Sequence, residues 1–345
     1  MTEPSGAGDS DDSDDSGGDD HRADDLHELA LEATIGGLGV DADRTVPVIS
    51  LANLEQRRAE ITDQLWSAAS DTGFFQLGDH GIPAEIVDRA FGAAEAFFNL
   101  PDSAKAAYPW KRELNAGWES RAQVRPSTKV ADQKESYQLT RPHMDGLWPA
   151  EDEVPGFADD LLRLESAAWD LAMFVLSCFA DRLGFDRRFF DQAHAPDGEG
   201  YQSTLRLLHY FPMTADQTLA GQWRAGAHTD YDCLTLLFQQ DGQDGLQLCP
   251  GRDAESGSWT SVKADRRLIT CNIGDMLTRW SDDQLRSTLH RVRGPRPGEV
   301  ATDRYSVAFF AQANKPTVIE SPSGRGDAIT ANEFLQRRIN ANFDA

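Results

Sequence analysis

The residues best suited to chemistry lie in the second half of the chain, in the segments AHTDYD and STLHRV. The first segment contains His228 and Asp230, and the second contains His290. Side chains at positions i and i+2 of a strand project to the same face, so we expect His228 and Asp230 to reach one point from one strand. Two imidazoles and one carboxylate on one face of an octahedron suit non-haem Fe(II) oxygen chemistry. The alternative is a loop aspartate with two structural histidines.

A later strand-like segment, RYSVAFFAQ, contains a second pair of polar side chains. Arg304 and Ser306 again stand at positions i and i+2, so a guanidinium and a hydroxyl share one face. Together they match one end of a small dicarboxylate, through a bidentate arginine contact and an added hydroxyl hydrogen bond. Ala308 and Phe310 share that face, which favours a pocket wall over a surface arginine in a cross-strand pair.

The elements that must position these residues are strands. From Ser203 onward, short apolar segments are separated by Gly, Pro and Asp clusters, which predicts an antiparallel sandwich or barrel. These segments are LRLLHYF, CLTLLFQ, GLQLC, RLITCNI, HRVRG and RYSVAFFAQ.

The first half of the chain has a helical character. Leu54 to about Leu100 reads as helix, strand and helix, and residues 103–157 read mostly as loop. Apolar residues at helical spacing then predict a long helix over 161–183 that ends at Gly184. The segment NEFLQRRINANF predicts a final helix.

We divide the chain into an acidic tail with its lead-in, 1–45, a helical and strand region, 46–200, and a β core with a C-terminal helix, 201–345. We expect 46–345 to form one composite domain. Residues 1–25 contain ten acidic residues and one arginine, without an aromatic or β-branched aliphatic residue, so we expect them to be disordered.

The charge and hydropathy of the chain exclude several function classes. The net charge is −24, from 57 acidic and 33 basic residues, which argues against nucleic-acid binding driven by counterion release. The longest nearly unbroken apolar segment, Leu171–Ala180, is shorter than the roughly 20 residues that a membrane span needs. No secretory signal opens the sequence, so we expect a cytoplasmic protein without a membrane partner, and a monomer.

Several segments together resemble the isopenicillin N synthase-like branch of the Fe(II)/2-oxoglutarate-dependent dioxygenases. In the second half these are HTDYDCLTLLFQ, DGLQL, GDMLTRWSDDQLRSTLHRV and RYSVAFF, and in the first half PVISL, GFFQLGDHGI, FFNLP and KESYQL. The resemblance covers about residues 46–345. It implies a mainly β fold with a helical N-terminal part, in which helices flank a double-stranded β-helix (jelly-roll) core.

The resemblance also implies the roles of the residues above. His228, Asp230 and His290 would bind Fe(II), and Arg304 and Ser306 would hold the distal carboxylate of 2-oxoglutarate. Tyr210, on the strand before the HTD segment, would add a hydroxyl. Because Phe211 follows it directly, the matching position is open by one residue. The implied reaction consumes O₂, converts 2-oxoglutarate to succinate and CO₂, and hydroxylates a C–H bond of a small-molecule substrate.

Two alternatives stay open at this point. Isopenicillin N synthase also has an Arg-x-Ser pair but uses no 2-oxoglutarate, so an oxidase, a cyclase or a desaturase of the same fold is one alternative. A non-catalytic jelly-roll binding protein is the other, because a fold alone does not fix a function. We predict 2-oxoglutarate use, as in most of the branch.

Within that branch the segments KESYQL, LRLLHY, AGAHTDY, LTLLFQ, LTRW and RYSVAFF resemble thymine 7-hydroxylase-type enzymes. The resemblance suggests that Arg206, Tyr231 and Phe310 face a pyrimidine or a similar heterocycle. An arginine can hydrogen-bond the ring carbonyls while aromatic side chains stack on the ring. The alternative for Tyr231 and Phe310 is a place in the core. Lys134, Glu135 and Tyr137 either border the site or lie in a solvated loop, and the final helix is expected to cover the pocket mouth.

Overall fold

A computed structural model describes residues 39–124, 130–198, 200–250, 257–324 and 327–343 of the chain. The acidic tail predicted over 1–25 lies outside the described residues. No helix in the described ranges combines the length and the apolar character that crossing a bilayer requires.

The strands form two main sheets and one small pair. The minor sheet has the order β1-β10-β9-β12-β7, the major sheet has the order β2-β3-β11-β8-β13-β6-β5-β4, and β14 pairs with β15. In chain order the strands are β1 Val40–Asp41, β2 Val48–Ser50, β3 Phe74–Gly78, β4 Gly117–Ser120, β5 Lys134–Leu139, β6 Thr204–Tyr210, β7 Ala225–His228, β8 Leu234–Gln239, β9 Leu246–Cys249, β10 Ser258–Ser261, β11 Ile269–Ile273, β12 Leu289–Val292, β13 Arg304–Ala311, β14 Val318–Ile319 and β15 Ile329–Thr330.

Most of the helices precede the β core, two short ones lie between its strands, and one follows its last strand. They are α1 Leu54–Asp71, α2 Ala84–Phe98, α3 Asp102–Lys105, α4 Phe157–Leu183, α5 Phe189–Ala193, α6 Ala215–Leu219, α7 Asp275–Trp280 and α8 Ala331–Phe343. The architecture is therefore mainly β with a helical N-terminal part, as the sequence predicts.

Helix α4 joins the helical layer to the major sheet. Its apolar stripe is fully buried at positions such as Leu164, Val175 and Phe179. The helix packs against α1 and α2 on one side and against β6, β8 and β13 on the other. It ends where Gly184 takes a left-handed conformation with φ 78°, which glycine adopts without a Cβ penalty. This layer closes the outer face of the major sheet, so the polar residues of its inner face lie toward the minor sheet.

The register places the candidate residues opposite one another. In the minor sheet His290 pairs with His228 across β12 and β7. In the major sheet Tyr210 of β6 lies between Arg304 of β13 and Lys134 of β5. The two histidine candidates thus come from one sheet and the co-substrate candidates from the other.

The structure corrects three sequence-based expectations. Strand β7 ends at His228, so Asp230 lies in the following turn and not on the same strand. The segments that became β4 and β5 fall in the region read mostly as loop, and KESYQL is a fully buried strand. The apolar segments also did not reveal β10, which is rich in serine and threonine.

Candidate functional site

Three side chains from the β core converge where the two sheets face each other. One potential ligand atom from each of His228, Asp230 and His290 lies within 4.8 Å of the other two. Asp230 Oδ1 is 3.9 Å from His228 Nε2 and 3.7 Å from His290 Nε2. The wrong strand assignment of Asp230 therefore did not affect the convergence, because the turn after β7 brings its carboxylate back toward β12.

The two histidines are oriented by backbone carbonyl groups. His228 Nδ1 lies 2.8 Å from the carbonyl oxygen of Gly226, and His290 Nδ1 lies 3.0 Å from that of Thr288. A carbonyl oxygen can only accept, so each Nδ1 carries the proton and donates it. Each Nε2 then keeps the lone pair that a metal ion needs.

Side chains orient the carboxylate of Asp230. Its Oδ2 atom accepts hydrogen bonds from Thr235 Oγ1 at 2.6 Å and from Asn272 Nδ2 at 2.7 Å. Oδ1, on the side of the histidines, is thereby left to bind a cation. The three donor atoms fit Fe(II), which binds two histidines and one carboxylate on one face of an octahedron.

A second buried acid lies beside this carboxylate. Burial, with a smaller contribution from the charge of Asp230, raises the pKa of Asp232 well above its usual range. Its Oδ2 atom is 3.0 Å from Thr235 Oγ1. A neutral Asp232 can therefore donate to Thr235 while Thr235 donates to Asp230, which keeps a second negative charge away from the ligand set.

Arg304, Ser306 and Tyr210 form a second group on the major sheet. The guanidinium of Arg304 lies over the ring of Tyr210, 4.6 Å from its centroid, and Arg304 Nη1 is 3.4 Å from Ser306 Oγ. Arg304 Nη2 is buried and has no hydrogen-bond partner among the described residues. A buried donor without an acceptor is costly, so this atom suits a carboxylate ligand.

The surroundings of Tyr210 are electropositive. Burial raises the pKa of its phenol, but the charges of Arg304 and Lys134, a hydrogen bond with Ser306 and the charge of Arg206 together outweigh burial, so the pKa is lowered overall. Tyr210 and Lys134 line a chamber of about 210 Å³ that also contains the His228–Asp230–His290 cluster, whereas Arg304 and Ser306 are buried next to it. A dianion such as 2-oxoglutarate fits this potential. Tyr210 lines the chamber, whereas Phe211 does not and packs against Arg121 and His209.

The predicted substrate residues line the same inner chamber. Arg206, Tyr231 and Phe310 are all part of its wall. Arg206 is ion-paired with Glu119 of β4, and its Nη2 also donates to Ser136 Oγ at 2.9 Å. Arg206 Nε is buried without a partner among the described residues, so one donor of this guanidinium is still unused.

The sequence indicated Lys134 as one residue that could border the site, but sequence reasoning missed the other polar residues that β4, β5 and β11 bring near it. Glu119 accepts from Gln138 Nε2 at 2.9 Å, and Gln138 Oε1 is buried without a partner among the described residues. Asn115 and Asn272 line the inner chamber. The strand KESYQL offered one signal, since i and i+2 spacing puts Lys134, Ser136 and Gln138 on one face. Nothing in a single sequence connects Asn115 or Asn272 with the site.

An outer chamber of about 450 Å³ adjoins the inner chamber. Asn115, Gln123, Tyr231 and Gln312 line both. Helix α8 forms part of the outer wall through Asn332, Leu335 and Gln336. Arg338 of the same helix is ion-paired with Asp275 at 3.0 Å, and Asp275 accepts from Thr229, the residue between two members of the cluster.

Two family models match the chain. The non-haem dioxygenase N-terminal model, described for morphine synthesis, matches residues 46–154, and the 2OG-Fe(II) oxygenase superfamily model matches residues 202–313. The first match lies within the helical region and the second within the β core.

Curated relatives align along most of the chain. A UPF0676 protein of Schizosaccharomyces pombe is 31% identical over 310 residues, covering 86% of this chain and 92% of the relative. The proline hydroxylase buaE of Petromyces alliaceus is 31% identical, covering 82% of this chain and 89% of the relative. The similarity thus extends through both halves of the protein.

Solved structures show the same architecture. The full-length thymine 7-hydroxylase of Neurospora crassa in complex with alpha-KG superposes with a TM-score of 0.76 at 29% identity, covering 87% of this chain and 98% of that one. A putative 2OG-Fe(II) oxygenase family protein of Caulobacter crescentus has a TM-score of 0.74 at 29% identity, covering 86% and 98%. With the relatives above, these similarities show that the chain belongs to the 2OG-Fe(II) oxygenase superfamily and is a dioxygenase that uses Fe(II), 2-oxoglutarate and O₂.

Proposed function

We propose that this dioxygenase hydroxylates a small planar heterocycle of the pyrimidine type. In this proposal His228, Asp230 and His290 bind Fe(II), and Arg304, Ser306 and Tyr210 hold 2-oxoglutarate. The observation that carries it is the shared inner chamber, because one cavity of about 210 Å³ is lined by the metal-ligand cluster, Tyr210, Arg206, Tyr231 and Phe310.

When bound, Fe(II) with 2-oxoglutarate and O₂ supplies the oxidising power for attack on a C–H bond. The protein supplies ligand geometry. The backbone carbonyls of Gly226 and Thr288 fix the histidine tautomers, and Thr235 and Asn272 hold Oδ2 of Asp230. The ligand atoms therefore need little reorganisation when the metal binds.

Arg304 holds the distal carboxylate of 2-oxoglutarate in this proposal. Its unpartnered Nη2 and the hydroxyl of Ser306 offer donors on one strand face. The ring of Tyr210 packs under the guanidinium, which limits its rotation. A planar guanidinium held in this way favours a bidentate carboxylate contact.

Arg206, Tyr231 and Phe310 give the chamber its substrate preference. Aromatic walls favour a flat ring, and Arg206, which lines the chamber, has an unused donor at Nε. One neighbouring structure, that of the N. crassa enzyme, contains alpha-KG and thymine. A ring that carries a carbonyl group would supply an acceptor for this donor.

Anaerobic titration of the Fe(II)-loaded protein with 2-oxoglutarate tests the co-substrate residues. We expect the weak visible charge-transfer band of the chelate to appear, and to be lost at the same concentration in Arg304→Ala. Arg296→Ala is the matched control, because Arg296 forms an exposed ion pair with Asp41. If the band in Arg304→Ala reaches half its amplitude at the same 2-oxoglutarate concentration as in the parent protein, this assignment is refuted.

The metal ligands are tested by iron content. We expect His228→Ala and Asp230→Ala to lose Fe(II) binding and with it all turnover, since each removes one of three ligands. Undiminished turnover in either variant would disprove the ligand set.

Incubation with thymine, Fe(II) and 2-oxoglutarate tests the substrate class. We expect 5-hydroxymethyluracil to form together with succinate. The absence of both the product and extra succinate would contradict the pyrimidine proposal. The proposed 2-oxoglutarate-binding residues are tested separately, by the titration above.

A further inference from the structure

The outer chamber is larger than the chemistry proposed above requires. Its volume is about 450 Å³, against about 210 Å³ for the inner chamber, and the two adjoin at shared wall residues. Pockets for small molecules occupy roughly 300–1,000 Å³. A single ring held by Arg206, Tyr231 and Phe310 occupies the inner chamber, so the outer chamber has room for a second part of the same substrate.

Lys315 lines the outer chamber in a fixed position. Its backbone N–H donates to the carbonyl of Gly200 at 2.9 Å, and its carbonyl accepts from the N–H of Asn332 at 3.2 Å. Gly200 has φ 69°, and a Cβ there would lie 2.7 Å from Cβ of Lys315, so only glycine permits this close approach. The base of the lysine is thus held between the loop at Gly200 and the start of α8.

The ammonium group of Lys315 forms no ion pair within the described ranges of the chain. Of the two acids in the outer wall, Glu119 is ion-paired with Arg206 and Glu113 is exposed at the rim. In a protein with a net charge of −24, an unpaired cation beside the active site is a local positive potential that can attract an anion.

Two neutral donors lie in the same wall. The indole Nε1 of Trp110 is buried and has no acceptor among the described residues. Burial, and then the charge of Lys315, lower the pKa of His143, so its ring is neutral at pH 7 and can donate one hydrogen bond. Both residues line the outer chamber together with Lys315.

We propose that the outer chamber is a subsite for an anionic arm of the substrate, a carboxylate or phosphate attached to the ring, which Lys315 binds with Trp110 and His143. This inference rests on the proposed function for the place of the ring. It narrows the substrate class from a free heterocycle to one that bears an acidic substituent.

Anaerobic calorimetric titration of the full chain, loaded with Fe(II) and 2-oxoglutarate, tests the subsite. The probes are thymine, thymine-1-acetic acid and thymidine 5′-phosphate, so that a carboxylate arm and a phosphate arm are distinguished. We expect at least one anionic probe to bind about tenfold more tightly than thymine, the scale of one charge-assisted hydrogen bond. Lys315→Ala should remove that gain and leave the Kd of thymine unchanged.

Lys263→Ala is the matched control, because Lys263 is an exposed lysine outside both chambers. Anionic probes that bind no more tightly than thymine, or that bind equally well to Lys315→Ala, would overturn the subsite. If the subsite fails in this way but thymine is still hydroxylated, the proposed function is retained. If no pyrimidine releases succinate but both anionic probes still bind in a Lys315-dependent manner, the ring assignment fails and the subsite holds.

Discussion

The ligand atoms of the His228–Asp230–His290 cluster are held in two different ways. The backbone holds both histidines, since each Nδ1 donates to a carbonyl two residues earlier in the chain. Side chains hold Asp230, through Thr235 and Asn272. Substitutions nearby can therefore change the carboxylate without disturbing the imidazoles, so we expect Asp230 to be the proposed ligand whose affinity for the metal can be tuned.

Replacement of Thr235 tests this difference. We expect Thr235→Val to weaken Fe(II) binding about 10- to 100-fold, because the carboxylate loses a donor and the neighbouring Asp232 loses its partner. Thr235→Ser keeps the hydroxyl and should bind Fe(II) as the parent protein does. Anaerobic Fe(II) titration measures both, and equal affinity in the valine variant would show that the hydrogen bond has no role.

His194 should make the stability of the protein depend on pH. Burial lowers its pKa from 6.5 to about 4, so the unfolded chain binds a proton at intermediate pH that the folded chain does not. The contribution of His194 to stability is then complete above pH 6.5 and is lost as the pH falls toward about 4, by about 3 kcal/mol. In His194→Gln the difference in free energy of unfolding between about pH 7.5 and 4.5 should shrink by this amount. Urea unfolding at both pH values measures it, and an unchanged difference would contradict the prediction.

The sequence predicts the residues of the site better than their surroundings. His228, Asp230 and His290 could be found because their side-chain types have few other uses in that combination. Thr235 and Asn272 could not, because a threonine and an asparagine in apolar strands have no pattern of their own. Their role depends on the pairing of β8 with β11, which brings Thr235 opposite Asn272.

At the scale of elements, the strands β4 and β5 show what local pattern cannot supply. Strand β5, KESYQL, is buried on both faces. One face lies toward the inner chamber. On the other face Glu135 accepts hydrogen bonds from Lys105 and Trp118 and is hydrogen-bonded to His209. A segment with polar residues on both faces has the same sequence pattern as a solvated loop, and only its partners in the structure distinguish the two. The long helix α4 has the opposite character, since its apolar stripe identifies it without any partner.

The stripe of α4 should carry much of the stability of the helical layer. Leu164 is fully buried, so we expect Leu164→Ala to lower the free energy of unfolding by about 2–5 kcal/mol. Leu162, which is only partly buried on the same helix, is the matched control and should cost clearly less when replaced by alanine. If urea unfolding shows the same loss of free energy of unfolding in both variants, the apolar stripe of α4 does not carry this stability.

Helix α8 should couple chamber closure to productive turnover. Arg338→Ala removes the ion pair with Asp275, and we expect more succinate per hydroxylated product because the chamber closes less completely. Arg337→Ala, one residue away on an exposed position, is the control. Truncation before Glu333 should have a larger effect in the same direction. An unchanged ratio of succinate to product in both changes would exclude a role for α8 in coupling.

At the scale of the whole molecule, charge is the dominant feature. With 57 acidic and 33 basic residues, like-charge repulsion opposes the compact state at low salt. Raising the ionic strength from about 0.1 M to about 1 M shortens the Debye length from about 10 Å to about 3 Å and weakens this repulsion. We therefore expect the thermal midpoint of the full chain to rise with NaCl. A falling midpoint would mean that exposed ion pairs such as Arg266–Asp88 outweigh the net charge.

The division of the candidate residues between two sheets has a thermodynamic consequence. The minor sheet supplies His228 and His290, and the major sheet supplies Tyr210, Arg304 and Ser306. A co-substrate that contacts both the metal and Arg304 links the two sheets. Metal and 2-oxoglutarate should then strengthen each other's binding by the same factor, and slow amide exchange in β7 and β13 should require both together.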